Sequence, residues 1–160
     1  MSFTEGSYEK ALIALFENLG YQHQYGPNIE RDYYVPFYEE QLIESLTTIN
    51  YGKPRLAIDE AISKLKDIEI GSLPQRNELF MDYLQHGIEV SFFDGKEQRN
   101  DIIYLIDYND KNIKRNDFKV INQWTFVENS EKRADIILFV NGLPLVVIEL
   151  KSPSREETNV

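Results

Sequence analysis

Apolar residues near the start of the chain recur at helical spacing: Tyr8, Ala11, Leu12, Leu15, Phe16 and Leu19 fall on one side of a 3.6-residue repeat. Thr4 or Ser7 is placed to cap this helix, and Gly20 to close it. Three more helices are predicted over about residues 37–48, 54–66 and 74–86. Pro54 suits a first-turn position, and Gly87 ends the last of the three. The acidic residues on their outer faces read as solvated surface.

Beyond Gly87 the pattern changes to strands, expected over about residues 88–93, 102–107, 118–127, 134–140 and 145–151. These stretches are rich in β-branched and aromatic residues. Asp94-Gly95, Asn109-Asp110 and Asn141-Gly142 supply turns between them. The last two strands are apolar on both faces, a pattern expected at the centre of a covered sheet. Helices must supply the cover, which predicts an α/β (α+β) layered fold with a mixed central sheet flanked by helices. At 160 residues the chain is expected to be one domain, with a helical part over about 1–87 and a sheet part over about 88–151.

Composition removes several chemistries. There is no cysteine, hence no disulfide, thiolate metal site or cysteine nucleophile, and His23 and His86 are the only histidines. The longest apolar run, residues 136–140, is far short of the roughly 20 residues of a membrane span. The start lacks the pattern of a signal peptide, so a cytoplasmic location is expected. Seventeen Lys plus Arg against 27 Asp plus Glu leave a net charge of −10, which argues against generic nucleic-acid binding. It leaves room for a local site, because exposed charges are screened beyond about 8 Å at physiological salt.

Two charged positions interrupt the closing β-ribbon. Asp135 opens one strand, and Glu149-Leu150-Lys151 ends the other, with Glu149 and Lys151 on one face. If Val140 pairs with Leu145, Asp135 faces away from both. If a three-residue loop with Gly142 in the left-handed region pairs Phe139 with Leu143, Asp135 shares their face, diagonal to Glu149 at about 7–8 Å. Two carboxylates about 5 Å apart repel by roughly 3 kcal/mol at an effective dielectric near 20, and a divalent cation turns that repulsion into a site. All-oxygen ligation suits Mg²⁺ or Mn²⁺, with the Leu150 carbonyl as a further ligand. Lys151 would orient a water or neutralise developing charge. Acid-x-Lys is a weak pattern, since Asp94-Gly95-Lys96 and Asp117-Phe118-Lys119 repeat it, and a surface ion pair between Glu149 and Lys151 is the competing reading.

The stretch from Arg133 through Asp135-Ile136-Ile137-Leu138-Phe139-Val140-Asn141-Gly142 to Val147-Ile148-Glu149-Leu150-Lys151 resembles the N-terminal nuclease domain of the R (HsdR) subunit of type I restriction enzymes. So do Asn116-Asp117-Phe118, Val120-Ile121-Asn122-Gln123, and the opening Thr4-Glu5 with Tyr8-Glu9-Lys10-Ala11-Leu12 and Leu19-Gly20-Tyr21. Ala134 departs from the family, which usually has Pro there. The resemblance implies a PD-(D/E)xK restriction-endonuclease-like fold with Asp135, Glu149 and Lys151 as catalytic trio. It also implies Mg²⁺-dependent cleavage of double-stranded DNA, coupled in the full complex to ATP-driven translocation. An acidic residue of the first helix belongs near the metal in this family, and Glu9 is the candidate, with a solvated helix glutamate as the alternative. Gln123 is expected to hydrogen-bond at a strand edge, and Asp107 to end a strand.

The family's Gln-x-x-x-Tyr element and any Walker-type Gly-x-x-x-x-Gly-Lys are absent. The chain therefore reads as an N-terminal piece of a longer subunit, truncated at the C-terminus, without motor domains and with ATP bound only by those missing parts. Methyltransferase and specificity subunits are the implied partners beside DNA, and no membrane is implied. Two other classes compete: a non-catalytic docking or regulatory module on the same fold, and an acidic DNA mimic that inhibits nucleases.

Overall fold

The computed structural model describes residues 4–68 and 72–151. The residues after Lys151 lie outside these ranges. The architecture is α/β with a mixed sheet, and the chain divides into two compact units, residues 1–38 with 118–160, and residues 39–117.

The first unit begins with α1, Glu5–Asn18, whose capping box resolves the choice of cap. Thr4 is the N-cap, and Ser7 returns the bond from three residues on. Next comes a strand the periodicity missed, β1, Gln22–Tyr25, followed by a 3-10 turn over Gly26–Asn28. Four residues reading Gln-His-Gln-Tyr carry no apolar alternation, and only pairing parallel to β4, Phe118–Val127, makes them a strand. The sheet is completed by β5, Glu131–Val140, and β6, Leu143–Ile148, in the order β1-β4-β5-β6.

On one face of this sheet Val120, Ile136, Leu138 and Ile148 pack against Leu12, Ile13 and Phe16 of α1. On the other, Ile121, Trp124, Ala134, Ile137 and Phe139 form a core with Ile29, Tyr38 and Phe126. The Arg31 guanidinium stacks 3.4 Å from the Trp124 ring centroid and donates to the Thr125 carbonyl, and burial lowers its pKa to about 10. Such stacking contributes about 0.5–2 kcal/mol depending on desolvation.

Three expectations for the strands are corrected. β5 is buried as predicted, but β6 is an edge strand among the described residues, with Val146 46 % and Val147 58 % exposed. Its apolar faces are only partly covered, and Pro144, which has no N–H to donate, suits an edge. β6 also ends at Ile148, so Glu149 to Lys151 extend beyond it. Asp107, expected to end a strand, lies in a loop, where its N–H donates to the Asn116 side chain.

The second unit holds α2, Glu39–Ile49, α3, Arg55–Lys66, and α4, Leu73–His86, with Gly87 closing α4 at φ 82°. Pro54 is the N-cap of α3 rather than its first helical residue. Strands β2, Ile88–Phe93, and β3, Gln98–Ile103, form a separate antiparallel hairpin on which α3 packs, instead of joining the main sheet. β3 starts four residues before the expected strand because its Gln-Arg-Asn-Asp half is polar and is defined by pairing alone.

Asp94 caps the β2–β3 turn by accepting from the N–H groups of Lys96 and Glu97. The Glu97 N–H bond first, then Arg99 and the Lys96 N–H, lower its pKa from 3.8 to about 2. These bonds hold the charged form. The stabilisation is therefore complete above the unfolded value and disappears as pH falls through about 2. Thermal unfolding should show Asp94→Ala melting below the parent at pH 7, with the gap closing as pH approaches 2.

Candidate active site

The closing ribbon turns through Asn141-Gly142, with φ 53° and 81°, the paired positive values that a two-residue type I′ hairpin requires. Val140 therefore pairs with Leu143. This differs from the three-residue loop the sequence suggested, because Asn can adopt the left-handed region that such a turn demands of its first residue. Carried on unchanged, that register would put Asp135 on the face opposite Glu149. A bulge prevents it. The pairing moves from Phe139↔Pro144 to Leu138↔Val146, leaving Leu145 as the extra residue, and continues through Ile136↔Ile148.

Extended one step beyond its last pair, that register would set Asp135 across from Glu149 rather than diagonal to it. Directly opposed residues have Cβ atoms about 4.5–5.5 Å apart. The contact is made: Leu150 N–H donates to Asp135 Oδ2 at 2.7 Å, tying the half-buried aspartate to the Glu149-Leu150-Lys151 segment. Glu149 and Lys151 are exposed, and among the described residues neither takes part in an ion pair. The surface-pair reading of these two residues is thereby corrected. The two look-alike patterns lie elsewhere: Asp94 is spent on its own turn, and Lys119 is buried within β4.

Glu9 is not a solvated helix glutamate. Asn122 Nδ2 donates to its Oε1 at 2.6 Å and Gln123 Nε2 to its Oε2 at 2.7 Å. His23 Nε2 lies 2.9 Å from Asn122 Oδ1. A carboxylate only accepts, so the Asn122 amide nitrogen must face Glu9, its oxygen must face His23, and His23 Nε2 carries the proton. Among the described residues no group of three His, Cys, Asp or Glu side chains is close enough to hold a metal ion, so Glu9 does not join Asp135 and Glu149 in a three-carboxylate cluster.

Gln123 is also a backbone outlier. Its φ of 55° is left-handed in the middle of β4, a conformation that costs a non-glycine residue about 1–2 kcal/mol. It interrupts the β4–β5 ladder between Asn122↔Ile136 and Trp124↔Ala134, at the step across from Asp135. Gly26 accepts this kink closely. A Cβ there would stand 2.7 Å from the Gln123 carbonyl oxygen and 2.8 Å from that of Asn122. Asn122, His23 and the kink were not foreseen. The visible signal was the polar pair Asn122-Gln123 breaking an apolar central strand.

The site geometry yields a direct check by hydrogen exchange. Bonds to charged groups contribute about 1.5–3 kcal/mol, so Asp135→Ala should speed exchange of the Leu150 amide at least about tenfold. Asp135→Asn, which keeps an acceptor oxygen but loses the charge, should fall between the parent and Asp135→Ala.

The family model of the type I restriction enzyme R protein N terminus matches residues 2–160. The chain is 30 % identical to the type I restriction enzyme HindI endonuclease subunit of Haemophilus influenzae, over 98 % of this chain and 16 % of that protein. It is 31 % identical to the EcoprrI endonuclease subunit of Escherichia coli, over 92 % of this chain and 44 % of that one. A putative endonuclease subunit from Methanocaldococcus jannaschii, MjaIXP, is 29 % identical over 94 % of this chain and 15 % of its own length. An α/β domain with a mixed sheet, closed by a ribbon carrying an acid on one strand and Glu-x-Lys after the next, is the nuclease-type architecture expected from the sequence. The chain belongs to the family of type I restriction enzyme R protein N-terminal domains. It spans less than half the length of these relatives.

Proposed function

We propose that this chain is the nuclease domain of a type I restriction enzyme R subunit, and that it cleaves double-stranded DNA with Asp135, Glu149 and Lys151. The observation that carries this reading is the hydrogen bond from Leu150 N–H to Asp135 Oδ2, which joins the two acidic positions across the ribbon. The donor set fits Mg²⁺ or Mn²⁺: two hard carboxylates, Asp135 on β5 and Glu149 just past the end of β6, with the Leu150 carbonyl between Glu149 and Lys151 as a further oxygen. When bound, such an ion polarises a phosphodiester oxygen and lowers the pKa of a water from its bulk value of about 15.7.

The chain's own residues would do the rest. Asp135, anchored by the Leu150 amide, keeps one oxygen aimed and offers the other. Glu149 would share the cation, whose charge would offset the repulsion between the two acids. The unpaired Lys151 ammonium holds the attacking water or the charge that develops on the phosphate. With a net charge of −10, grip on DNA would come from other domains and subunits of the complex, and the methyltransferase and specificity subunits are the proposed partners. ATP-driven translocation would belong to domains beyond this chain. Among the described residues no helix is long and apolar enough to cross a membrane; a cytoplasmic setting is part of the proposal.

Calorimetric titration of Mn²⁺ into the chain should give binding that Asp135→Ala abolishes. In the complete restriction complex, Lys151→Ala should lower plasmid cleavage by at least about a hundredfold, the scale of losing an electrostatic transition-state contact. Equal heats in parent and Asp135→Ala would favour a docking module instead. Undiminished cleavage would remove Lys151 from the mechanism.

A further inference from the structure

Among the described residues, Arg133 is the one arginine without a partner. Arg31, Arg55, Arg99 and Arg115 each engage a carbonyl or a carboxylate, and Arg76 has a partner as well. Arg133 is exposed on β5 and makes no hydrogen bond or ion pair there, although Glu131 stands two residues before it. In a chain of net charge −10 a free guanidinium does not lack acids to pair with.

The place of Arg133 on the strand gives that charge a use. β5 pairs Arg133 with Thr125 and Ala134 with Trp124, and Ala134 lies in the Trp124 core, so Arg133 projects from the opposite face. Asp135 projects from the same face as Arg133. The residue across from it, between two ladder pairs, is Gln123, whose side chain reaches Glu9 on α1 rather than the Trp124 core. Positions two apart on a strand are separated by roughly 6.7 Å, an interval that an arginine side chain spans. Carried three steps past its last pair, the β5–β6 register would also set Lys151 across from Arg133. Like charges directly opposite repel, so this cation pair would favour an anion, just as the acid pair beside it favours a cation.

We propose that Arg133 is a phosphate-binding residue. Its guanidinium holds the DNA strand being cut by the phosphate next to the one that meets the cation of Asp135 and Glu149. The planar fork of a guanidinium matches the two free oxygens of a phosphodiester. Such a contact fixes the strand and reads no base, so it serves every sequence alike. This rests on the metal-site reading above.

The test compares the parent, Arg133→Ala, Arg133→Lys and Asp135→Ala. Each chain is melted and titrated with Mn²⁺, and each is assayed for plasmid cleavage in the complete restriction complex over a range of salt. Arg133→Ala should melt with the parent and bind Mn²⁺ at least as tightly, since it removes a positive charge beside the cation. Its cleavage should be slower by at least about tenfold at low salt, the scale of losing a bond to a charged group. The gap should narrow as salt rises, because a lost phosphate contact lowers the salt slope by about 1. Arg133→Lys keeps the charge and loses the fork, so it should fall between the two. If Arg133→Ala cleaves like the parent while Mn²⁺ binding still depends on Asp135, the phosphate role is overturned and the metal site stands. The role is also overturned if Arg133→Ala loses Mn²⁺ affinity or melting temperature in step with cleavage, or if Arg133→Lys is as impaired as Arg133→Ala. A parent that binds no Mn²⁺, or binds it as Asp135→Ala does, overturns the metal site itself.

Discussion

Strand register is the constraint on which this molecule depends. A side chain in a sheet changes face with every residue, so a one-residue error in pairing sends an entire set of side chains to the wrong side. The closing ribbon contains two features that each change the pairing by one. The two-residue Asn141-Gly142 turn sets one parity, and the bulge at Leu145 reverses it before the ribbon reaches its charged end. Neither alone brings Asp135 to Glu149. Together they do, and the Leu150 amide secures the result.

The same economy of local irregularity operates one strand away. β4 is an inner strand of the sheet in the first unit, largely buried, and carries the polar pair Asn122-Gln123 among apolar residues. The left-handed Gln123 turns two consecutive polar side chains to the α1 side, while Trp124 stays in the opposite core against Phe139, with ring centroids 4.7 Å apart. Buried polar groups are costly unless hydrogen-bonded, and here the amides of Asn122 and Gln123 are answered by Glu9. A strongly apolar sheet thus acquires a polar row at the level of Asp135 without opening its core.

Much of this was legible in the residues. The helix signals placed α1, α3 and α4 well, since Thr4, Pro54, Gly20 and Gly87 act through the backbone of their own neighbours. β4 was bounded as found, and the Asp135 and Glu-x-Lys positions were visible as charges interrupting apolar strands. β1 and the first half of β3 were not, because short polar segments become strands only through their partners. The sheet order and the separate β2–β3 hairpin were equally hidden, since apolar alternation describes a strand's faces and not its neighbours.

The sequence alone determined which side chains were available for chemistry and which turn residues could reverse the chain, since both follow from intrinsic residue properties. Tertiary structure decided how those side chains meet. The kink at Gln123 and the capture of Glu9 by two amides depend on groups far apart in the chain, and the Leu145 bulge on pairing with the facing strand. No local preference favours a left-handed glutamine or an unpaired leucine in a strand, and only packing against Gly26, α1 and the adjoining strands makes them the lower-energy choice.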